Sequence, residues 1–272
     1  MELIATARYK KAMDRAAAVT AYTDQITKVV ARLVAAGAEV QHPLLEVRDQ
    51  PSTARLLLLA SNRGLCGGYN ASVLRTVMPH VELLRNAVPT LKVDASGKRG
   101  INGLKYRGVP TDQQFTQFED QPPFDDVEKI ATEYLRQYAT GEIDRLDVVY
   151  TKFISTSRQI PVVETLLPLG SLQSAAGADQ GADAGSSEFE FLPSAESILE
   201  EIIPTSFKVK LFKCFLDAAV SEQVARMIAM KGATESAGDM IKQLSTDYNR
   251  ARQSQITGEI MEIIGGVEAL SK

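Results

Sequence analysis

From Leu216 onward the chain carries one uninterrupted heptad-spaced stripe: Leu216, Val220, Gln223, Met227, Met230, Thr234, Ala237, Ile241, Leu244, Tyr248 and Ala251. The gaps alternate four and three, and nine of the eleven positions are apolar or Tyr, which predicts a long coiled-coil helix. At about 1.5 Å per residue the stripe alone spans on the order of 50 Å, well beyond an ordinary globular helix. After Ala251 the register slips to Ile256, Ile260, Ile263 and Val267, a stutter, and Gly265 and Gly266 are expected to end the helix. Such a stripe must be buried against something. The other long segment without helix breakers runs from Met1 to Gly37, with apolar or aromatic residues at Tyr9, Met13, Ala16, Val19, Tyr22, Ile26 and Leu33. The two are therefore read as an antiparallel coiled coil. No cap precedes the first helix, which reads as the remainder of a longer one.

Between the helices, alternating strand and helix patterns predict an inserted, Rossmann-like α/β domain. Arg55–Ala60 (RLLLLA) is a short apolar run of the kind buried on both faces of a parallel sheet. A glycine-rich turn, Ser61–Asn70 (SNRGLCGGYN), leads into a helix to about Ala87, and Leu91–Ala95 is a second strand. A loop holding Gly97, Gly100, Gly103 and Gly108 is expected next, then a helix introduced by Pro122 and Pro123 with Asp125, Asp126 and Glu128 at its start. Leu146–Ile154 and Val162–Leu167 read as an antiparallel strand pair. In Ser171–Ser187, twelve of 17 residues are Ala, Gly or Ser, which predicts a flexible surface loop. The expected organisation is thus a helix over 1–45, an α/β domain over 46–204 and a long helix over 205–272.

Little in this chain supports catalysis. The only histidines are His42 and His80, each beside a proline in a turn-like setting, and the only cysteines are Cys66 and Cys214. That inventory provides no zinc cluster, no disulfide framework and no nucleophile–base pair, so no metal or cofactor is expected. A net charge of −4 argues against nucleic acid as the partner. No run approaches the roughly 20 apolar residues that cross a bilayer, so any membrane role is expected to pass through partners. The glycine turn sits where phosphate loops sit, yet it lacks both GxxxxGK[ST] and GxGxxG. Gly64, Gly67, Gly68 and Asn70 are accordingly read as a structural motif that allows a tight path at positive φ. A nucleotide-using α/β enzyme with helical arms, or a generic coiled-coil scaffold, stand as alternative readings.

SNRGLCGGYN, the stretch Tyr150–Leu169 (YTKFISTSRQIPVVETLLPL) and above all Ser221–Leu270 resemble the gamma subunit of F-type ATP synthase. The opening MELIATARYKKA resembles the first helix of that family from its middle onward. The resemblance implies a non-catalytic central rotor shaft, its coiled coil inside a hexamer of alpha and beta subunits and its α/β domain on the epsilon subunit and the c-subunit ring. It implies proton-driven rotation that biases the beta catalytic sites, on the cytoplasmic face of a bacterial inner membrane. Arg252, Gln253, Thr257 and Glu259 match positions where the family's C-terminal helix meets the beta subunits, and Met1 and Arg226 match positions tied to coupling. The family's first helix starts several turns upstream, so part of the 216–251 stripe is expected to lack its partner here.

Overall fold

The computed structural model describes residues 2–35, 44, 48, 51–169 and 195–271. Met1, His42, the expected helix stop at Gly37 and the loop 171–187 lie outside them. The described residues fall into two compact units, Met1–Met227 and Ile228–Lys272.

In the first unit, α1 (Glu2–Ala35) is followed by β1 (Thr53–Leu59), α2 (Tyr69–Ala87), β2 (Thr90–Ser96) and α3 (Lys98–Tyr106). Then come β3 (Gln114–Phe115), α4 (Phe124–Ala139), β4 (Arg145–Ser155) and β5 (Arg158–Leu167). A final helix, α5, runs from Ala195 to Leu270. The sheet order is β3-β2-β1-β4-β5, with β1, the expected doubly buried strand, at its centre. The first four strands are parallel and β5 returns antiparallel to β4.

Strand alternation sorts β1 between two cores. Leu56 and Leu58 pack with Val73, Val77 and Leu84 of α2 and Leu104 of α3. Leu57 and Leu59 face the opposite layer, where Val127, Tyr134 and Tyr138 of α4 meet Phe207, Leu211 and Phe215 of α5. Arg55 is buried on this second face, 3.3 Å from Asp94, which also accepts from the Tyr134 hydroxyl at 2.8 Å and from the Gln113 N–H at 3.1 Å. Burial pushes Asp94 upward and the Arg55 charge opposes it.

The long-helix pairing is real over a limited stretch. Ala12 and Ala16 of α1 are buried against Leu216, Val220 and Val224 of α5, with Tyr9 and Val19 at the edges. Ile26 joins the core that contains Ile203 and Phe207, whereas Ala5 lies beside Gln223 and Arg226, so the two helices run antiparallel. Small alanines on α1 let the backbones approach closely, which is why a seam with few large residues still packs.

Four local expectations need correction. The glycine-rich loop 97–108 contains α3. Gly100 and Gly103 are there because α3 lies too close to its neighbours for a side chain. A Cβ on Gly100 would stand 2.7 Å from the Ala60 methyl, and one on Gly103 would collide with Leu74. His80 and Pro79 sit inside α2 rather than in a turn, and His80 Nε2 lies 2.7 Å from the buried Asp147. The C-terminal helix begins at Ala195 and takes Pro204 into its interior. Gly265 and Gly266 do not stop it, because glycine weakens a helix by roughly 1 kcal/mol without forbidding it. The two-residue strand β3 had no sequence signal; Ala95 and Ser96 of β2 pair with it across the ladder.

Candidate functional site

Two groups of expected site residues lie in different units. The first is the glycine turn. Here the expected positive φ is found at Gly67 (54°) and, unexpectedly, at Leu65 (63°), while Gly68 has φ −82° and caps α2. The turn closes on its own side chains. Asn70 Oδ1 accepts the Ser61 N–H at 3.1 Å, and Asn70 Nδ2 donates to Ser61 Oγ at 2.7 Å and to Cys66 Sγ at 3.1 Å. The Tyr69 N–H goes to the Cys66 carbonyl at 3.1 Å. A phosphate cradle needs outward-pointing backbone N–H groups, and those of Ser61 and Tyr69 are spent within the turn.

What the turn presents outward is a tie to the long helix. Tyr69 donates its hydroxyl to the Ala218 carbonyl at 3.2 Å, and burial, ahead of the nearby Glu222 charge, keeps that phenol protonated. Arg226 reaches the Gly64 carbonyl with Nη2 at 3.4 Å and pairs with Glu222 at 2.6 Å. Arg226 is thus buried at 9% exposure, joining α5 to the turn rather than lying on an open surface. Burial raises Glu222 as well, with Arg226 opposing.

Around this tie stand residues that the sequence did not mark as site residues, Gln223 having appeared only as a member of the stripe. Arg8 pairs with Asp120, Gln223 Nε2 donates to Asp120 Oδ1 at 2.5 Å, and Arg63 pairs with Glu119 at 3.2 Å. Their partners lie a hundred or more residues away or on a coil segment, so no local pattern announces them.

The second group is on α5 in the other unit. From Lys231 to Ser271 every residue except Gly238 is exposed. The stripe members Ile241, Leu244 and Tyr248 are more than 60% exposed. Arg252, Gln253, Thr257 and Glu259 are exposed too, with Glu259 accepting from Gln255 at 3.1 Å. At about 100° per residue, Arg252 and Glu259 flank one side of the stripe Ile256, Ile260, Ile263 and Val267, and Gln253 and Thr257 flank the other. The arrangement is an open apolar band with a polar rim, the anatomy of an interaction face. Met1 lies outside the described residues.

Among the described residues no group of three or more His, Cys, Asp or Glu could hold a metal, and no helix is long and apolar enough to cross a membrane.

A protein-family model described as ATP synthase matches residues 1–270. A relative from Rhodopirellula baltica, "ATP synthase gamma chain", is 76% identical over 99% of this chain and 92% of its own length. One of the same name from Leptospira biflexa is 34% identical over the whole chain and 92% of its own length. The fold is that of a chain in the cryo-EM structure of the Tetrahymena thermophila mitochondrial ATP synthase central stalk and c-ring. That match has a TM-score of 0.55 at 20% identity and covers 85% of this chain and 99% of that one. On the family match along nearly its full length and on these relatives, the chain belongs to the ATP synthase gamma-chain family.

Proposed function

We propose that the face formed by Arg252, Gln253, Thr257 and Glu259 around the apolar band is where this gamma chain meets the alpha and beta subunits. As a gamma chain it is the central rotor subunit of an F-type ATP synthase, non-catalytic itself, and a component of the complex that makes ATP. Its partners are the alpha–beta hexamer, the epsilon subunit and the c-subunit ring, and it is peripheral to the membrane. The finer placement, on the cytoplasmic face of a bacterial inner membrane, is part of the proposal and rests on the bacterial relatives.

The observation that carries the contact face is the exposure of a continuous apolar band with polar flanks. A rotating shaft couples chemistry to rotation by fitting one conformation of a catalytic site better than another at each angle. Shallow contacts among medium-sized aliphatic side chains suit repeated engagement and release better than a deeply anchored aromatic would. Met1 and Arg226 belong to the same proposal as coupling positions. Arg226 would act through the Gly64 carbonyl and Glu222, holding α5 to the glycine turn formed with Gly67, Gly68 and Asn70. In this reading residues 46–204 form the body that meets epsilon and the c-ring, with 1–45 and 205–272 as the shaft.

The alternative of a nucleotide-using enzyme is not favoured: the glycine turn spends its hydrogen bonds inward and on α5. The test is Arg252→Ala with Gln253→Ala in the complex reconstituted in vesicles. Proton-driven ATP synthesis is expected to fall several-fold while the near-ultraviolet circular dichroism of the purified chain stays unchanged. Unaltered synthesis would remove both residues from the contact face.

A further inference from the structure

Three elements of the α/β body grip the helix pair just before α5 leaves the first unit at Met227. The glycine turn does so through Tyr69, whose hydroxyl donates to the Ala218 carbonyl, and through the Gly64 carbonyl, which accepts from Arg226. Strand β4 does so through the Thr151 carbonyl, which accepts from Ser221 Oγ at 3.1 Å, and through Phe153, whose ring centroid lies 6.5 Å from that of Tyr9. The third element is the coil 116–123 between β3 and α4, a strap without regular structure of its own. Asn62 Nδ2 donates to its Thr116 and Phe118 carbonyls at 3.0 and 2.6 Å. The Phe118 ring packs on Phe215 of α5 with 4.8 Å between centroids.

Asp120, on this strap, touches both long helices. Its Oδ2 pairs with Arg8 of α1, and its Oδ1 accepts from Gln223 Nε2 of α5 at 2.5 Å. Gln223 is fully buried and the Asp120 side chain is only 17% exposed, so these charge-assisted bonds are largely sheltered from water. The seam that joins α1 to α5 is of another kind, made of Ala12, Ala16, Leu216, Val220 and Val224. Apolar contact favours closeness and has no preferred direction, and alanines form shallow ridges that resist sliding weakly. Hydrogen bonds, by contrast, weaken steeply when donor and acceptor turn out of line. The bonds to Asp120 therefore do what the seam does not: they fix how far each helix is turned about its own axis relative to the body.

We propose that Asp120 is a positioning residue that pins both helices to the α/β body and keeps them turning with it under load, a role that rests on the reading of residues 46–204 as the driven body and of the two helices as the shaft. Rotation couples to chemistry only if the angle of the contact face follows the angle of the body, since each angle selects one conformation of a catalytic site. Arg226 and Ser221 tie α5 to the body, whereas Asp120 ties α5 and α1 by one carboxylate and so also holds the two helices in register with each other.

The experiment uses the complex reconstituted in vesicles and reads protons pumped per ATP hydrolysed. Asp120→Ala should lower that ratio by about twofold or more, because both charge-assisted bonds are lost, while the rate of hydrolysis changes less. Arg136→Ala, which breaks exposed ion pairs with Glu133 and Glu142 inside the body, should leave the ratio unchanged. Arg8→Cys with Asp120→Cys should slip like Asp120→Ala until a short bis-maleimide joins the two new thiols, and should then recover most of the ratio. Cys66 and Cys214, each 2% exposed, stay unlabelled. If Asp120→Ala fails to assemble, Arg8→Ala, which removes a 38% exposed side chain, decides in its place. Three results would each overturn the proposal: an unchanged ratio in Asp120→Ala, an equal fall in Arg136→Ala, or no recovery on tethering. If Arg252→Ala with Gln253→Ala leaves synthesis intact while Asp120→Ala still slips, the contact face fails and the pin stands.

Discussion

One helix, α5, passes through two environments. Between Ile203 and Val224 its residues Ile203, Phe207, Leu211, Leu216 and Val220 are at most 1% exposed, set against the sheet, α4 and α1. Between Lys231 and Ser271 residues of comparable size and polarity, such as Ile241, Leu244 and Ile263, are more than 60% exposed. Both stretches keep helical spacing of their apolar residues, and the amino acids barely differ in hydrophobicity. The difference is in what each stretch does. The first is held by burial and contributes to the stability of its unit. The second holds its apolar side chains at the surface, where they add little to the stability of the isolated chain and are available to other subunits.

Substitutions can break or sharpen this contrast. The largest effect is expected for Phe207→Ala, which removes a wholly buried ring from the core between α4 and the sheet. By large-to-small core replacements it should cost about 3–5 kcal/mol, read as a fall in the urea midpoint of the first unit. A loss below about 1 kcal/mol would mean that the buried stretch is no better anchored than the exposed one.

Next comes Asp217, a charged residue on the buried stretch. Burial pushes its carboxyl up to about 6, with Lys213 and Lys152 pulling the other way. Its folded value lies above the usual unfolded value of about 3.9. The contribution to stability is therefore full below about pH 4 and is lost as pH rises through about 6. Asp217→Asn should accordingly stabilise the chain at pH 7–8 by about 3 kcal/mol, with the gain vanishing near pH 4. Urea midpoints measured across that range check it; a gain that grows toward low pH would contradict the sign.

The smallest effect belongs to the exposed stretch. Leu244→Ala should shift the stability of the isolated chain by no more than about 0.5 kcal/mol, the scale of surface substitutions. If it cost as much as Phe207→Ala, the apolar band would be buried in solution and the contrast would collapse.

How much of this could be read beforehand depends on the range of each signal. The doubly buried β1 announced itself by four consecutive leucines, and the antiparallel β4–β5 pair by a short polar turn between apolar runs. Asp125 and Asp126 marked the first turn of α4. By contrast α3 was hidden, since its glycines look like a loop until Ala60 and Leu74 are seen pressing on them. His80 looked like a turn residue because Pro79 stands beside it, yet the helix carries both. In the candidate site, Gly67 and Asn70 were visible as punctuation. Gln223 was visible only as an oddity in a seam, and its partner Asp120 is 103 residues away. The three elements that grip the helix pair come from separate segments, and nothing in any one segment points to the others.

By itself the sequence determined the periodicities: a long helix with a heptad stripe, a second helix able to pair with it, and an α/β unit between them. These follow from local geometry, because 3.6-residue and 2-residue repeats dictate which side chains share a face. Only the tertiary structure decided which part of the stripe is covered, where glycine is forced by close approach, and that one carboxylate holds both long helices. Those outcomes depend on what packs over a face, and a repeat along the chain specifies the face without specifying its cover.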